Sequence, residues 1–166
     1  MWRRLPSRTR SLPVKRLEIA PGFAAALCLL RLLAEPRVFY AFVAAAAAHE
    51  AGHLIAIWLA GGRVTGIRLG VCDARITAFG LGYRQELFCA LAGPAMSVLF
   101  CLALRRRGPT CAAISLLLGL FNALPVYPLD GGRLLCALLR LRWGLAGERA
   151  ALYASVACGA APVALA

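Results

Sequence analysis

Residues 38–60 read VFYAFVAAAAAHEAGHLIAIWLA, a run of 23 residues whose only charged or imidazole side chains are His49, Glu50 and His53. As a helix rising about 1.5 Å per residue, such a run is long enough to cross the roughly 30 Å hydrocarbon core of a bilayer. The chain contains two histidines, and both stand in this stretch. Ionisable groups at membrane depth are costly, so their presence there marks a functional site.

The flanking chain has the same character. Of 166 residues, 61% are apolar and 7 are acidic, which excludes an ordinary soluble domain. The fold class predicted is an all-α polytopic membrane protein, a bundle of about four to six transmembrane helices over 19–34, 38–60, 87–104, 110–124, 134–146 and 150–166. Arg31 interrupts the first of these and no clear A-x-A site follows it, so 19–34 is read as a short uncleaved span. Gly61 and Gly62 end the second. Beyond them Ile67, Leu69 and Val71 alternate with Arg68, Gly70 and Cys72, the period of a strand, so 64–77 is expected to be a membrane-associated strand or hairpin. The whole of 19–166 reads as a single domain preceded by a basic tail, 1–18.

The formal charge of +12 is carried by 18 Arg and Lys15 against those few acids. These groups flank apolar runs, which makes them orientation signals rather than a nucleic-acid surface. The tail and the 61–86 segment hold ten Lys and Arg against four in the opposite loops, among them Arg105–Arg107. The amino terminus is therefore expected in the cytoplasm, with the tail touching anionic lipid and no nucleic acid as partner. The seven cysteines are scattered without a C-x-x-C pair, and predict neither a disulfide framework nor a thiolate metal site.

His49-Glu50-Ala51-Gly52-His53 is an H-E-x-x-H motif. Positions four apart share a helix face, so two imidazoles can hold one zinc ion while Glu50 beside them suits a general base. A catalytic zinc needs a third protein ligand and an open position. A metzincin-type histidine would stand at position 59, which is leucine. Asp73 lies twenty residues beyond His53, in a surface segment where aspartates are common turn residues. Asp130 follows an apolar span inside Pro128-Leu129-Asp130-Gly131-Gly132, where a carboxylate near membrane depth needs a cation. Its competing partner is Arg133, three residues on, and zinc is the preferred one.

The H-E-A-G-H span, the Ala92-Gly93-Pro94 span and the Asn122-Ala-Leu-Pro-Val-Tyr-Pro-Leu-Asp-Gly-Gly stretch together resemble the site-2 protease family, over residues 38–135. The resemblance is to the short form, without a PDZ insertion or CBS domains, and is nearest the stage IV sporulation FB branch. It implies an intramembrane zinc metalloendopeptidase with one catalytic zinc, His49, His53 and Asp130 as ligands and Glu50 as catalytic acid/base. Ser97 departs from the asparagine that many members carry after the Gly-Pro.

Such an enzyme would sit in a bacterial cell membrane or sporulation-associated membrane and cut membrane-embedded or membrane-adjacent proteins. A substrate helix hides its carbonyls and must unwind, so the 64–77 strand is expected to pair with the extended segment by edge addition. Asn122 is the nearest candidate to bind the substrate backbone, with capping of the broken helix as its other reading. A catalytically silent scaffold that holds zinc or a partner helix is the alternative function, against which stands the retained Glu50. A transporter with a His-Glu-His relay fits less well, because the chain has no repeat symmetry.

Overall fold

The computed structural model describes residues 16–70 and 74–164. In chain order they form β1 (Arg16–Ile19), α1 (Pro21–Leu33), α2 (Pro36–Leu59), β2 (Arg63–Leu69), β3 (Ala74–Phe79), α3 (Tyr83–Leu104), α4 (Pro109–Asn122) and α5 (Asp130–Ala164). Three of the helices, α1, α2 and α4, open on proline, which suits a first helical turn because its missing N–H has no partner there anyway. α2 closes where Gly61 and Gly62 donate their N–H groups to Trp58 O and Ile57 O, the paired bonds that satisfy a helix end.

Among the described residues α2 and α3 are long and apolar enough to cross a membrane, while α1 and α4 are apolar but shorter. Burial is inverted relative to a water-soluble core. The buried positions of α2 are Ala41, Ala45, His49, Gly52, His53, Ala56 and Ile57, spaced as one helical stripe of small and polar side chains packed on α3 and α4. The large apolar groups point away, with Trp58 76%, Leu99 60% and Leu117 65% exposed. This is the arrangement of helices solvated by lipid tails, where small residues let backbones approach.

The strands form one sheet in the order β1-β2-β3, with β1 parallel and β3 antiparallel to β2. Ile67 pairs with Ile76, and Gly66 with Thr77 beside a bulge at Val64/Gly66. Among the described residues β3 is an edge strand. Val64, Ile76, Ala78 and Leu81 pack on Ala56, Ile57 and Cys89, which seats the sheet against the C-terminal end of α2. The Gln85 side chain ties α3 to that end, accepting from Gly82 N and donating to Ala60 O.

One feature differs from the sequence expectation: Arg16–Ile19, expected as tail and the start of the first span, is a strand, because its backbone finds a ladder on β2. The expected segments 134–146 and 150–166 correspond to two helical stretches of α5, which meet at a break at Gly144, φ 59° and ψ −139°, rather than at 147–149. Arg140 bridges that break to Glu148 at 3.4 Å and lies 4.6 Å over the Tyr83 ring, tying α5 to α3.

Candidate metal centre

The buried stripe of α2 presents His49 and His53 on one face, with ring centroids 5.0 Å apart. Each ring is held by its far nitrogen. His49 Nδ1 lies 2.8 Å from Ser97 Oγ on α3, and His53 Nδ1 donates to the Cys89 carbonyl at 2.8 Å. Ser97 is fully buried, and its own carbonyl accepts from Ser115 on α4 at 2.9 Å.

Asp130 arrives from the opposite direction, at the first turn of α5. Two prolines break the chain between α4 and α5, and turn bonds such as Leu129 N–H to Val126 O satisfy part of the backbone there. Glycines 131 and 132 then let the helix start lie against that break. A Cβ on Gly131 would strike the Ala123 and Leu124 carbonyls, and one on Gly132 the backbone of Val126 and Tyr127. Ser155, farther along α5, accepts a hydrogen bond from the Tyr127 amide and fastens the same turn.

Asp130 Oδ2 thereby sits 3.0 Å from His49 Nε2 and 3.1 Å from His53 Nε2. Among the described residues these three form a buried group whose donor atoms all lie within 4.8 Å of one another. Their chemistry suits a zinc ion. With Nδ1–H given to a carbonyl, a neutral His53 has a bare lone pair on Nε2, aimed at a carboxylate oxygen that also only accepts. A cation between them turns that repulsion into attraction. Tetrahedral zinc with bonds of about 2.0–2.2 Å places its ligand atoms roughly 3.3 Å apart, close to the two histidine–aspartate separations. Space for it is kept by Gly93 on α3, where a Cβ would fall on His53 Nε2 and lie 2.7 Å from His49 Nε2.

Glu50, one residue along α2, has a buried Oε2 with no hydrogen-bond partner among the described residues. It lines a cavity of about 20 Å³ together with His53, Cys89 and Arg133, room for about one water. A larger cleft of about 1170 Å³ shares Glu50 and His53 with it and is lined by residues of α1, α2, β3, α3, α4 and the start of α5. Residues 74–78 of β3 line it one after another, as do Phe23, Phe42 and Phe121.

Asn122 also lines this cleft, while its Nδ2 donates to Leu118 O at 3.0 Å. Arg133 and the histidines do not compete for Asp130. Arg133 Nη1 lies 3.7 Å from Oδ1, and the imidazoles face Oδ2. Asp73 lies outside the described residues, as does the tail 1–15. The Cys89 carbonyl and Ser155 escaped sequence reasoning, as did the contact of Ser97 with His49. Ser97 alone carried a signal there, as a polar residue after the Gly-Pro of an apolar span.

The model of Peptidase family M50 matches residues 109–164, the stretch that contains Asp130. The fold is similar to the "Site-2 Protease from Methanocaldococcus jannaschii", with a TM-score of 0.65 and 22% identity, covering 79% of this chain and 70% of that one. No curated protein sequence matches the chain. The resemblance carried by the motifs is thus met by a family model and by a shared fold.

Proposed function

From the M50 match and the site-2 protease fold as premise, we propose that this chain is an intramembrane zinc metalloendopeptidase acting on peptide bonds in or next to transmembrane segments. The observation that carries the reading is the convergence of His49 Nε2, His53 Nε2 and Asp130 Oδ2 beside the unpartnered Glu50 carboxylate, on an apolar helix. When bound there, zinc supplies the Lewis acidity that activates water and polarises a peptide carbonyl.

His49, His53 and Asp130 would hold the ion, and Glu50 would take the proton of the attacking water and return it to the amine of the leaving peptide. The small cavity at Glu50 and His53 is where that water waits. Residues 74–78 of β3, a terminal strand of the described sheet, line the cleft, which supports the reading that the unwound substrate adds there as a further strand with its carbonyls exposed to attack. Asn122 meets the substrate backbone from the opposite wall. In the membrane the chain is multi-pass in a bacterial cell membrane, with the amino terminus cytoplasmic and the basic tail against anionic lipid.

The experiment is a cleavage assay in detergent with a co-purified transmembrane substrate. Wild type is expected to cut it, to stop on chelation and to resume with zinc, whereas Glu50→Gln leaves it intact. Equal inertness of both proteins towards several substrates, with zinc bound, favours the silent scaffold.

A further inference from the structure

Two of the three ligand side chains have an evident second contact that fixes their orientation. His49 has Ser97 and His53 has the Cys89 carbonyl. The third, Asp130, has two oxygens, and both face a partner. Oδ2 points between the imidazoles, and Oδ1 points to the guanidinium of Arg133 at 3.7 Å. A carboxylate pivots about its terminal bond over a broad range, so an isolated aspartate has no single oxygen committed to a metal.

The start of α5 explains why Arg133 is the residue in place. Positions three apart share a helix face, so Asp130 and Arg133 stand on one side of the first turn. Glycines 131 and 132 fill the other side, against the backbone of 123–127. The Arg133 amide donates to Leu129 O at 3.0 Å, which keeps the turn closed. The side chain is 47% exposed and lines both the small cavity at Glu50 and the large cleft. Substrate and water therefore pass beside it, yet its charge is directed at Asp130.

Resting on the zinc reading above, we propose that Arg133 is a positioning residue for the metal centre. Its guanidinium holds Oδ1 of Asp130, so that Oδ2 is the oxygen presented to the ion, and it does not itself bind substrate. Arginine suits this task because its guanidinium stays charged and reaches Oδ1 through Nη1 at an ion-pair distance of 3.7 Å.

The test is a zinc affinity measured by competition with a chromophoric chelator, on detergent-purified wild type, Arg133→Lys and Arg133→Gln, with thermal unfolding of each as a check on folding. Losing an outer partner of a metal ligand typically weakens binding by roughly 10- to 100-fold. Arg133→Gln is expected to lose affinity in that range and Arg133→Lys to recover part of it. Saturating zinc should restore cleavage by Arg133→Gln with KM unchanged. Wild-type zinc affinity in a folded Arg133→Gln overturns the proposal, as does a raised KM that saturating zinc does not correct. If Arg133→Gln fails to fold, Arg133→Lys decides: a weakened zinc affinity with unchanged KM supports the proposal, and an affinity equal to wild type overturns it. Because the affinity needs no substrate, an inert chain whose zinc binding follows Arg133 would sink the protease reading and leave this one standing.

Discussion

Ser97 Oγ lies 2.8 Å from His49 Nδ1, from a serine with no solvent exposure. That contact orients the ring, and in the tautomer in which Nδ1–H donates to Oγ it leaves Nε2 bare for a metal. Ser97→Ala is expected to weaken zinc binding by roughly 10- to 100-fold, as loss of such a partner does elsewhere, without a matching fall in thermal stability. A chelator competition titration checks it, and an unchanged affinity removes Ser97 from the centre.

Gly93 is the glycine whose replacement reaches the Nε2 atoms of both histidines directly. A methyl there meets both ligand nitrogens, while one at Gly108 finds nothing nearer than Cys111 Cβ at 3.9 Å. Gly93→Ala should therefore abolish zinc uptake and cleavage, and Gly108→Ala should keep both. Metal content after gel filtration reads this, and a zinc-loaded Gly93→Ala protein would refute the assigned position of the ion.

Substitution at Gly131 probes how the break carries Asp130. Its added methyl strikes the carbonyls of Ala123 and Leu124, and overpacking of this kind typically costs about 1–3 kcal/mol. Gly131→Ala should melt earlier in detergent and bind zinc more weakly, since the turn that moves also carries the ligand. An earlier melt with full zinc affinity would separate the turn from the centre.

Asn122 separates two roles by kinetics. If its amide meets the substrate backbone, Asn122→Ala raises KM by roughly 2- to 10-fold, the value of one hydrogen bond, and leaves zinc content alone. A lowered melting temperature with unchanged KM would assign it to the end of α4 through its bond to Leu118 O.

What could be read from the sequence followed from range. His49, Glu50 and His53 were legible because helical periodicity alone puts the histidines on one face. Asp130 was legible because a carboxylate in a Pro-Gly break at membrane depth needs a cation. That Arg133 and the histidines face different oxygens of that carboxylate is visible only in three dimensions. Ser97 stands 48 residues from His49 in the chain, and a serine in an apolar span has no periodicity that says which ring it meets. β1 was hidden because its four residues are too few to show alternation, and its partner β2 lies far along the chain.

The central claim is that one zinc ion is held by His49, His53 and Asp130, and zinc content by mass spectrometry tests it most directly. Wild type, Glu50→Gln and Asp73→Ala are expected to carry one zinc per chain, and His53→Ala and Asp130→Ala none. An Asp130→Ala protein that keeps its zinc while Asp73→Ala loses it would contradict the account.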